Sequence, residues 1–151
     1  MSVLALFSDV HGNEQALGRV LADAEAAGAT RWVCLGDVAF NGPHPRQALA
    51  RVRELGCPVV MGNTDAWLLD PAGTEGLPKV VGDRMAWCAK QLNDDELDFV
   101  RTFEPTVELD LGGASLLCFH GSPRSFNDVI LDVTPADALA PMLDGADHAL
   151  L

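Results

Sequence analysis

Short, wholly apolar runs that end abruptly in polar residues constrain the fold of this chain more than any other feature. Val3–Phe7, residues 32–35 and residues 58–61 are such runs, and strands without polar alternation are typical of a sheet covered on both faces. We predict that the segments between them, 13–28 and 43–56, are helices that each end at a glycine. The resulting β-α-β-α-β order predicts an α/β fold with parallel strands and right-handed crossovers.

The second half of the chain predicts two longer helices, a hairpin and two short terminal elements. The helices cover residues 82–92 and 93–105, and Asn93 with Glu96 three residues later is typical of a capping box. Residues 106–111 and 114–119 predict a hairpin around Gly112-Gly113. Residues 135–143 predict a short helix, and an apolar run follows at 148–151.

Length and charge exclude several classes of function. The 151 residues fit a single domain over residues 1–151, and the net charge of -12 argues against non-specific binding to nucleic acid. Because no apolar run is long enough to cross a membrane and no basic signal segment opens the chain, we expect a cytoplasmic protein without a membrane partner. Four scattered cysteines without a CxxC pair predict buried free thiols.

Four of the predicted strands end in a loop that carries a potential metal ligand beside glycine. The loops are Asp9-x-His11-Gly12, Gly36-Asp37, Gly62-Asn63-x-Asp65 and His120-Gly121. Ligands of open parallel sheets bind outside the carboxyl ends of the strands, so we expect these loops to converge on one crevice. Residues i and i+2 of an extended segment point to the same side, so Asp9 and His11 can hold one ion. Carboxylate, imidazole and amide ligands together favour Mn, Fe, Zn or Co.

Each of these residues also has a purely structural interpretation. Asp9 alone would cap a helix, His11 would be a hydrogen-bonded loop residue, and Asp37 would belong to a turn. Asn63 would form an Asx-turn and Asp65 would cap the next helix. A single residue of this kind favours the structural interpretation, but their occurrence at four strand ends favours a metal site.

Four motifs together resemble the calcineurin-like metallophosphoesterase superfamily, and most closely its small bacterial and archaeal phosphoesterases. The motifs are FSDVHGN, LGDVAFNGPHP, VMGNTDAW and CFHGSPRS, and they run from residue 7 to residue 125. The resemblance implies a β-sandwich flanked by helices in four α-β-β-α layers. It also implies a site for two divalent ions (Mn, Fe, Zn, Co or Ni) that activate a water to hydrolyse a phosphomonoester or phosphodiester.

The resemblance assigns a role to each residue that matches a motif. Asp9 and His11 would bind the first metal, Asp37 would bridge the two metals, and Asn63 and His120 would bind the second. Asp65 would cap its helix or orient a neighbouring histidine.

The resemblance also implies a catalytic set and two substrate-binding residues. The catalytic set is Asp37, Asn63, His120 and Thr64, and the substrate-binding residues are Arg124 and Asn41. Many family members have a histidine at the position of Thr64, and threonine cannot donate a proton effectively at neutral pH. Thr64 would instead position a phosphate oxygen or a water, and His44 is a weaker candidate acid that also fits an exposed loop. Arg124 could equally form a salt bridge, and Asn41 could merely shape a turn.

The family's last metal motif, Gly-His-x-His, has no counterpart in this sequence, and His148 does not match it. We therefore expect the final strands of the fold to be missing, either by truncation or in a natural short form, and interpret His148 as structural. The expected partner is a small phosphoester, with self-association or a completing segment as further possibilities. The alternative function is a non-catalytic metal- or partner-binding module on the same fold.

Overall fold

The structure, a computed structural model, describes residues 3–144, 146 and 149–150. The β-strands are β1 (Val3–Phe7), β2 (Ala29–Cys34), β3 (Thr106–Asp110), β4 (Ser115–Phe119) and β5 (Ala149–Leu150). The α-helices are α1 (Glu14–Ala26), α2 (Pro45–Leu55), α3 (Asn63–Leu69), α4 (Lys79–Ala89), α5 (Asp94–Val100) and α6 (Ala136–Leu139). Two 3₁₀ turns, Pro71–Thr74 and Ala140–Met142, follow α3 and α6.

The strands form two sheets. In the first sheet β1 pairs in parallel with β2, and Phe7 lies opposite Cys34. In the second sheet β3 and β4 form the predicted antiparallel hairpin, and β5 pairs in parallel with β4. The predicted terminal run 148–151 thus contributes a strand at 149–150, whereas His148 and Leu151 lie outside the described residues.

The third predicted strand, residues 58–61, is wrong as a full strand. Its pairing is limited to isolated parallel bridges from Val59 to Cys34 and from Val60 to Glu104. Pro58 has no N–H to donate, and the chain turns at Gly62 into α3. The segment therefore spans the space between β2 and residue 104 with only a few ladder hydrogen bonds.

Alternate side chains of the first sheet enter different hydrophobic clusters, as expected of strands covered on both faces. Phe7 and Cys34 belong to the larger cluster, which the helices cover with Leu17, Leu49, Met85 and Val100 among others. Val33 belongs to the smaller cluster, in which it packs with Val60, Val107, Leu116 and Cys118. The first sheet therefore lies between a helical layer and the second sheet, and the mixed α/β fold is confirmed.

Asparagine caps placed the starts of α1 and α5 correctly. The Asn93 side chain accepts a hydrogen bond from Glu96 N (2.9 Å), and the Glu96 carboxylate accepts one from Asn93 N (2.7 Å), so the predicted capping box is present. The Asn13 side chain caps α1 by accepting from Ala16 N (3.1 Å). The helix predicted over 82–92 begins earlier, at Lys79, directly after Pro78.

Two further observations concern the expected environment of the chain. All four cysteines are free, and Cys34, Cys88 and Cys118 are buried while Cys57 is half-buried. Burial raises the pKa of the Cys88 thiol to about 11, so the thiol stays protonated at neutral pH. Among the described residues, no helix has the length and apolar character needed to cross a membrane.

Candidate metal centre

The loop after β1 brings Asp9 and His11 together through a backbone conformation that differs from the predicted one. Both residues have positive φ, 53° for Asp9 and 48° for His11, so the extended geometry predicted for them is wrong. The left-handed backbone still turns both side chains to one place, where His11 Nε2 lies 3.5 Å from Asp9 Oδ1. Backbone bonds from Asp9 N to Gly36 O (3.1 Å) and from His11 N to Asp37 O (2.9 Å) fix this loop against the next one.

Asp37 lies at the centre of the cluster and is almost completely buried, with 3% of its surface exposed. Its φ of 56° is also left-handed. One carboxylate oxygen, Oδ1, accepts a hydrogen bond from Thr64 N (3.0 Å) and lies 3.8 Å from His120 Nε2. The other, Oδ2, lies 3.8 Å from His11 Nε2. Asp37 therefore connects the loops after β1, β2 and β4.

Glycines at the loop contacts allow the backbones to approach this closely. A Cβ on Gly36, which has φ 93°, would lie 2.6 Å from Gly62 N. A Cβ on Gly62 would overlap the Asp37 carboxylate. A Cβ on Gly12 would lie 2.8 Å from Ala39 O. The glycines of the motifs are thus required by packing between loops as well as by the turns themselves.

His120 is held by its Nδ1, which lies 2.8 Å from the backbone carbonyl of Leu35. Because a carbonyl only accepts hydrogen bonds, this contact places a proton on Nδ1, so that in the neutral imidazole the lone pair is on Nε2. Nε2 lies 3.2 Å from Asn63 Oδ1. Metal-binding histidines commonly donate their other ring N–H to a carbonyl in this way, so the orientation of His120 suits a ligand.

Asp65 is the residue whose role the sequence revealed least. It is completely buried, and its Oδ2 accepts hydrogen bonds from Asp37 N (2.6 Å) and Gly62 N (3.2 Å) while its Oδ1 accepts one from Val38 N (2.9 Å). Asp65 is not the predicted N-cap: α3 begins at Asn63 after the N-cap Gly62, and Asp65 is its third residue, which accepts from the Gly62 N–H. The other two bonds fix the loop that carries Asp37. Burial raises the pKa of the Asp65 carboxyl to about 7, against the effect of the three N–H donors.

The chemistry of the cluster fits a divalent cation. Ligand atoms of Asp9, Asp37 and His120 all lie within 4.8 Å of one another. In the described part of the chain, no lysine or arginine forms an ion pair with either aspartate, and His11 Nδ1 is buried without a hydrogen-bond partner. The separations of 3.5–3.8 Å between these groups exceed ordinary hydrogen-bond lengths. Carboxylates and imidazoles that converge without hydrogen-bonding one another are what a shared cation would satisfy.

The other predicted site residues lie in different environments. The Thr64 hydroxyl is buried and has no partner among the described residues, and its backbone N–H bonds Asp37. Arg124 pairs with Asp128, with Nε 2.7 Å from Oδ2, as its structural interpretation predicted. Asn41 accepts a hydrogen bond from Arg84 (2.9 Å), and His44 precedes α2 without capping it through its side chain.

A pocket of about 650 Å³ opens beside the cluster. Asp9, Asn63 and His120 are among its lining residues. Neither Arg124 nor Asn41 is among its lining residues. The two predicted substrate-binding side chains therefore do not line this pocket: Asn41 is bonded to Arg84, and Arg124 is bonded to Asp128, which does line it.

Comparison with known proteins settles the family. Residues 1–149 match the calcineurin-like phosphoesterase superfamily domain. The chain belongs to this superfamily. The resemblance drawn from the four motifs is therefore confirmed, and the match covers the loops that carry all five proposed ligands.

This calcineurin-like phosphoesterase is similar to proteins from archaea and bacteria. It is 28% identical over 123 residues to an uncharacterised protein of Methanocaldococcus jannaschii, a match that covers 82% of the chain and 51% of the relative. A metallophosphoesterase from Sphaerobacter thermophilus is 29% identical with a TM-score of 0.67, over 84% of this chain and 50% of that one. A hypothetical protein from Pyrococcus horikoshii shares the fold, with a TM-score of 0.81 and 18% identity, over 95% of this chain and 64% of that one.

The calcineurin-like chain thus spans about half the length of the first two of these relatives. The family usually binds divalent metals, and this structure has a possible Asp/His metal site at the loops that carry the family motifs. The identity of each ligand stays a prediction.

Proposed function

We propose that this domain hydrolyses a small phosphomonoester or phosphodiester with the help of two divalent metal ions. The observation that carries the proposal is the convergence of Asp9, Asp37 and His120 within 4.8 Å, beside an open pocket. Asp9 and His11 would hold one ion, Asn63 and His120 the other, and Asp37 both. The ligand types suit manganese, iron, zinc, cobalt or nickel, and the four free cysteines favour a cytoplasmic location.

When bound, the two ions would supply a water of lowered pKa and neutralise charge on the phosphoryl oxygens. The residues of the chain hold and orient these groups. Asp37 is fixed through its side chain by Thr64 N and through its backbone by Asp65. His120 is fixed by Leu35 O. This support keeps the ligands in place before substrate enters, which lowers the reorganisation needed for reaction.

In the described part of the chain, Thr64 occupies the position at which many family members carry a histidine that protonates the leaving group. The Thr64 hydroxyl is buried, so we do not expect it to reach a substrate oxygen, and threonine is in any case a poor acid. We therefore expect solvent to provide the proton and the enzyme to prefer esters with good leaving groups, such as a phenolate.

Two observations favour a second candidate function, a metal-binding module without catalysis. Thr64 replaces a family histidine, and Arg124 is engaged by Asp128 instead of facing the pocket. Such a module would bind metal through the same residues and hydrolyse nothing.

Metal content and turnover measured together separate the two candidates. We expect the purified chain to bind about two Mn²⁺ and to hydrolyse bis-p-nitrophenyl phosphate. We expect Asp37→Asn to lower turnover at least about a hundredfold, because removing a group that acts in the transition state has an effect of this size. Asp132→Asn, an exposed substitution of the same chemical type, is the matched control and should change neither quantity. Metal binding without turnover would instead support the non-catalytic module.

A further inference from the structure

We propose that the substrate is a phosphoester whose organic part is apolar or aromatic and carries no further phosphate. The organic part would lie against a wall formed by Trp67, Phe126, Val129 and Ile130, hereafter the apolar wall. All four residues line the pocket of about 650 Å³ that also contains Asp9, Asn63 and His120. This inference rests on the proposed function, because it places the phosphoryl group at the metal centre.

Trp67 is a fixed part of the wall. Its ring packs edge-on against Phe40, with centroids 6.1 Å apart. On another side, a Cβ on Gly73 would overlap the indole, so the backbone of the following turn lies directly against the ring. A ring held in this way offers a ligand a rigid apolar surface without loss of side-chain entropy on binding.

The segment that carries Phe126 is held by a compact turn. Ser122 and Ser125 exchange two backbone hydrogen bonds (3.0 and 3.2 Å). Asp128 accepts from the Ser122 hydroxyl (2.7 Å) and from Arg124 Nε (2.7 Å). Phe126 lies between these bonded residues in the sequence. The hydrogen bonds therefore fix the backbone segment that carries this part of the wall.

The remainder of the wall is unusually exposed for apolar residues. Val129 is 69% exposed and Ile130 is 37% exposed. Both line the same pocket as the polar cluster of Asp9, Asn63 and His120. Apolar surface that binds the ligand and a few polar groups that orient it are the combination expected of a ligand site. Covering these side chains with an apolar group removes their surface from water and is favourable.

Charge in the pocket argues against a second phosphate. The acidic residues that line the pocket are Asp9 and Asp128. Among the described residues, no lysine or arginine lines it. Arg124 is bonded to both Asp128 carboxylate oxygens and to Pro141 O. A further phosphate beyond the metal centre would therefore find no free lysine or arginine among the described residues that line the pocket.

The test compares three non-hydrolysable phosphonates by calorimetry on the Mn²⁺-loaded protein. Benzylphosphonate carries an aromatic group, 2-hydroxyethylphosphonate a polar one, and 4-carboxybenzylphosphonate adds a negative charge to the aromatic group. We expect benzylphosphonate to bind roughly tenfold more tightly than 2-hydroxyethylphosphonate, as one added apolar group does in a hydrophobic pocket. The added carboxylate should remove this preference.

Substitutions in the apolar wall test whether the preference for the benzyl group arises from this wall. The double variant Val129→Ser/Ile130→Ser should bind 2-hydroxyethylphosphonate normally and lose the roughly tenfold preference for the benzyl group. Because both side chains are exposed, the folded state should tolerate these changes. Val133→Ser is the matched control, since Val133 is 75% exposed and is not a lining residue of the pocket, and it should keep the preference.

The outcomes distinguish failure of this inference from failure of the proposed function. Equal binding of all three phosphonates, abolished by Asp37→Asn, would retain the metal centre and overturn the apolar wall. Tighter binding of the carboxylated ligand would overturn the exclusion of further anions. Absence of binding by every phosphonate would overturn the proposed function and this inference together.

Discussion

At the scale of single residues, Asp65 matters because it positions Asp37 without approaching the pocket. Its two carboxylate oxygens accept three backbone N–H bonds, two of them from residues 27 and 28 positions earlier in the chain. These bonds fix the left-handed backbone of Asp37, a conformation that is unfavourable for a residue with a side chain. Asp65 therefore maintains a strained but organised ligand.

Replacing Asp65 with asparagine tests this role. The amide keeps the size of the side chain, but its NH₂ group faces at least one backbone N–H, which is left unpaired in the interior. We expect Asp65→Asn to lower the free energy of unfolding by about 1–3 kcal/mol, measured by urea denaturation at pH 8. The exposed Asp132→Asn should change it by less than about 0.5 kcal/mol, and equal effects of the two variants would contradict the role assigned to Asp65.

At the scale of elements, the four loops act as one unit because each is bonded to the next. The loop after β1 donates three backbone hydrogen bonds to residues 36–38, and the loop at the start of α3 bonds Asp37 through Thr64 N. Leu35 at the end of β2 accepts from His120. A change in one loop is therefore expected to move ligands on the others.

The helix α5 offers an independent test of the local signals, because it lies outside this unit. Asn93→Ala removes the side-chain acceptor for Glu96 N, and we expect it to lower the free energy of unfolding by about 1 kcal/mol. Asn93→Ser keeps an oxygen at this position and should retain most of the stability. Chemical denaturation of the three proteins measures the difference, and an unstable serine variant would show that the cap is not the cause.

At the scale of the whole molecule, the negative charge and the metal centre are linked. The chain carries a net charge of -12, and Asp9 and Asp37 share their site with histidines instead of lysine or arginine in the described residues. A cation that binds only the folded state stabilises that state by mass action. Removal of metal should therefore lower the stability of the entire domain.

We expect Mn²⁺ at a hundredfold excess over its Kd to increase the free energy of unfolding by about 3 kcal/mol. Thermal unfolding with Mn²⁺ and with a chelator measures this shift. Asp37→Asn, which keeps an acceptor for Thr64 N, should lose most of the shift. A shift of equal size in the wild type and in this variant would mean that Mn²⁺ binds elsewhere.

The sequence by itself determined the features that depend on neighbours along the chain. The apolar runs predicted β1, β2 and the hairpin, the Asn93–Glu96 pair predicted the capping box, and the four motifs predicted both the family and the loops that converge. Apolar patterning, caps and turns act within a few residues of each other. The reduction of 58–61 to isolated bridges was missed, because pairing also depends on the partner strand.

Only the tertiary structure decided the features that depend on contacts between distant segments. The left-handed backbone of Asp9 and His11 is set by bonds to residues 36 and 37, and the function of Asp65 is set by the same loop. The sequence leaves Arg124 equally compatible with a substrate contact and with a salt bridge, and the structure pairs it with Asp128. Each of these outcomes depends on which donors and acceptors meet after the chain has folded, and sequence spacing does not contain that information.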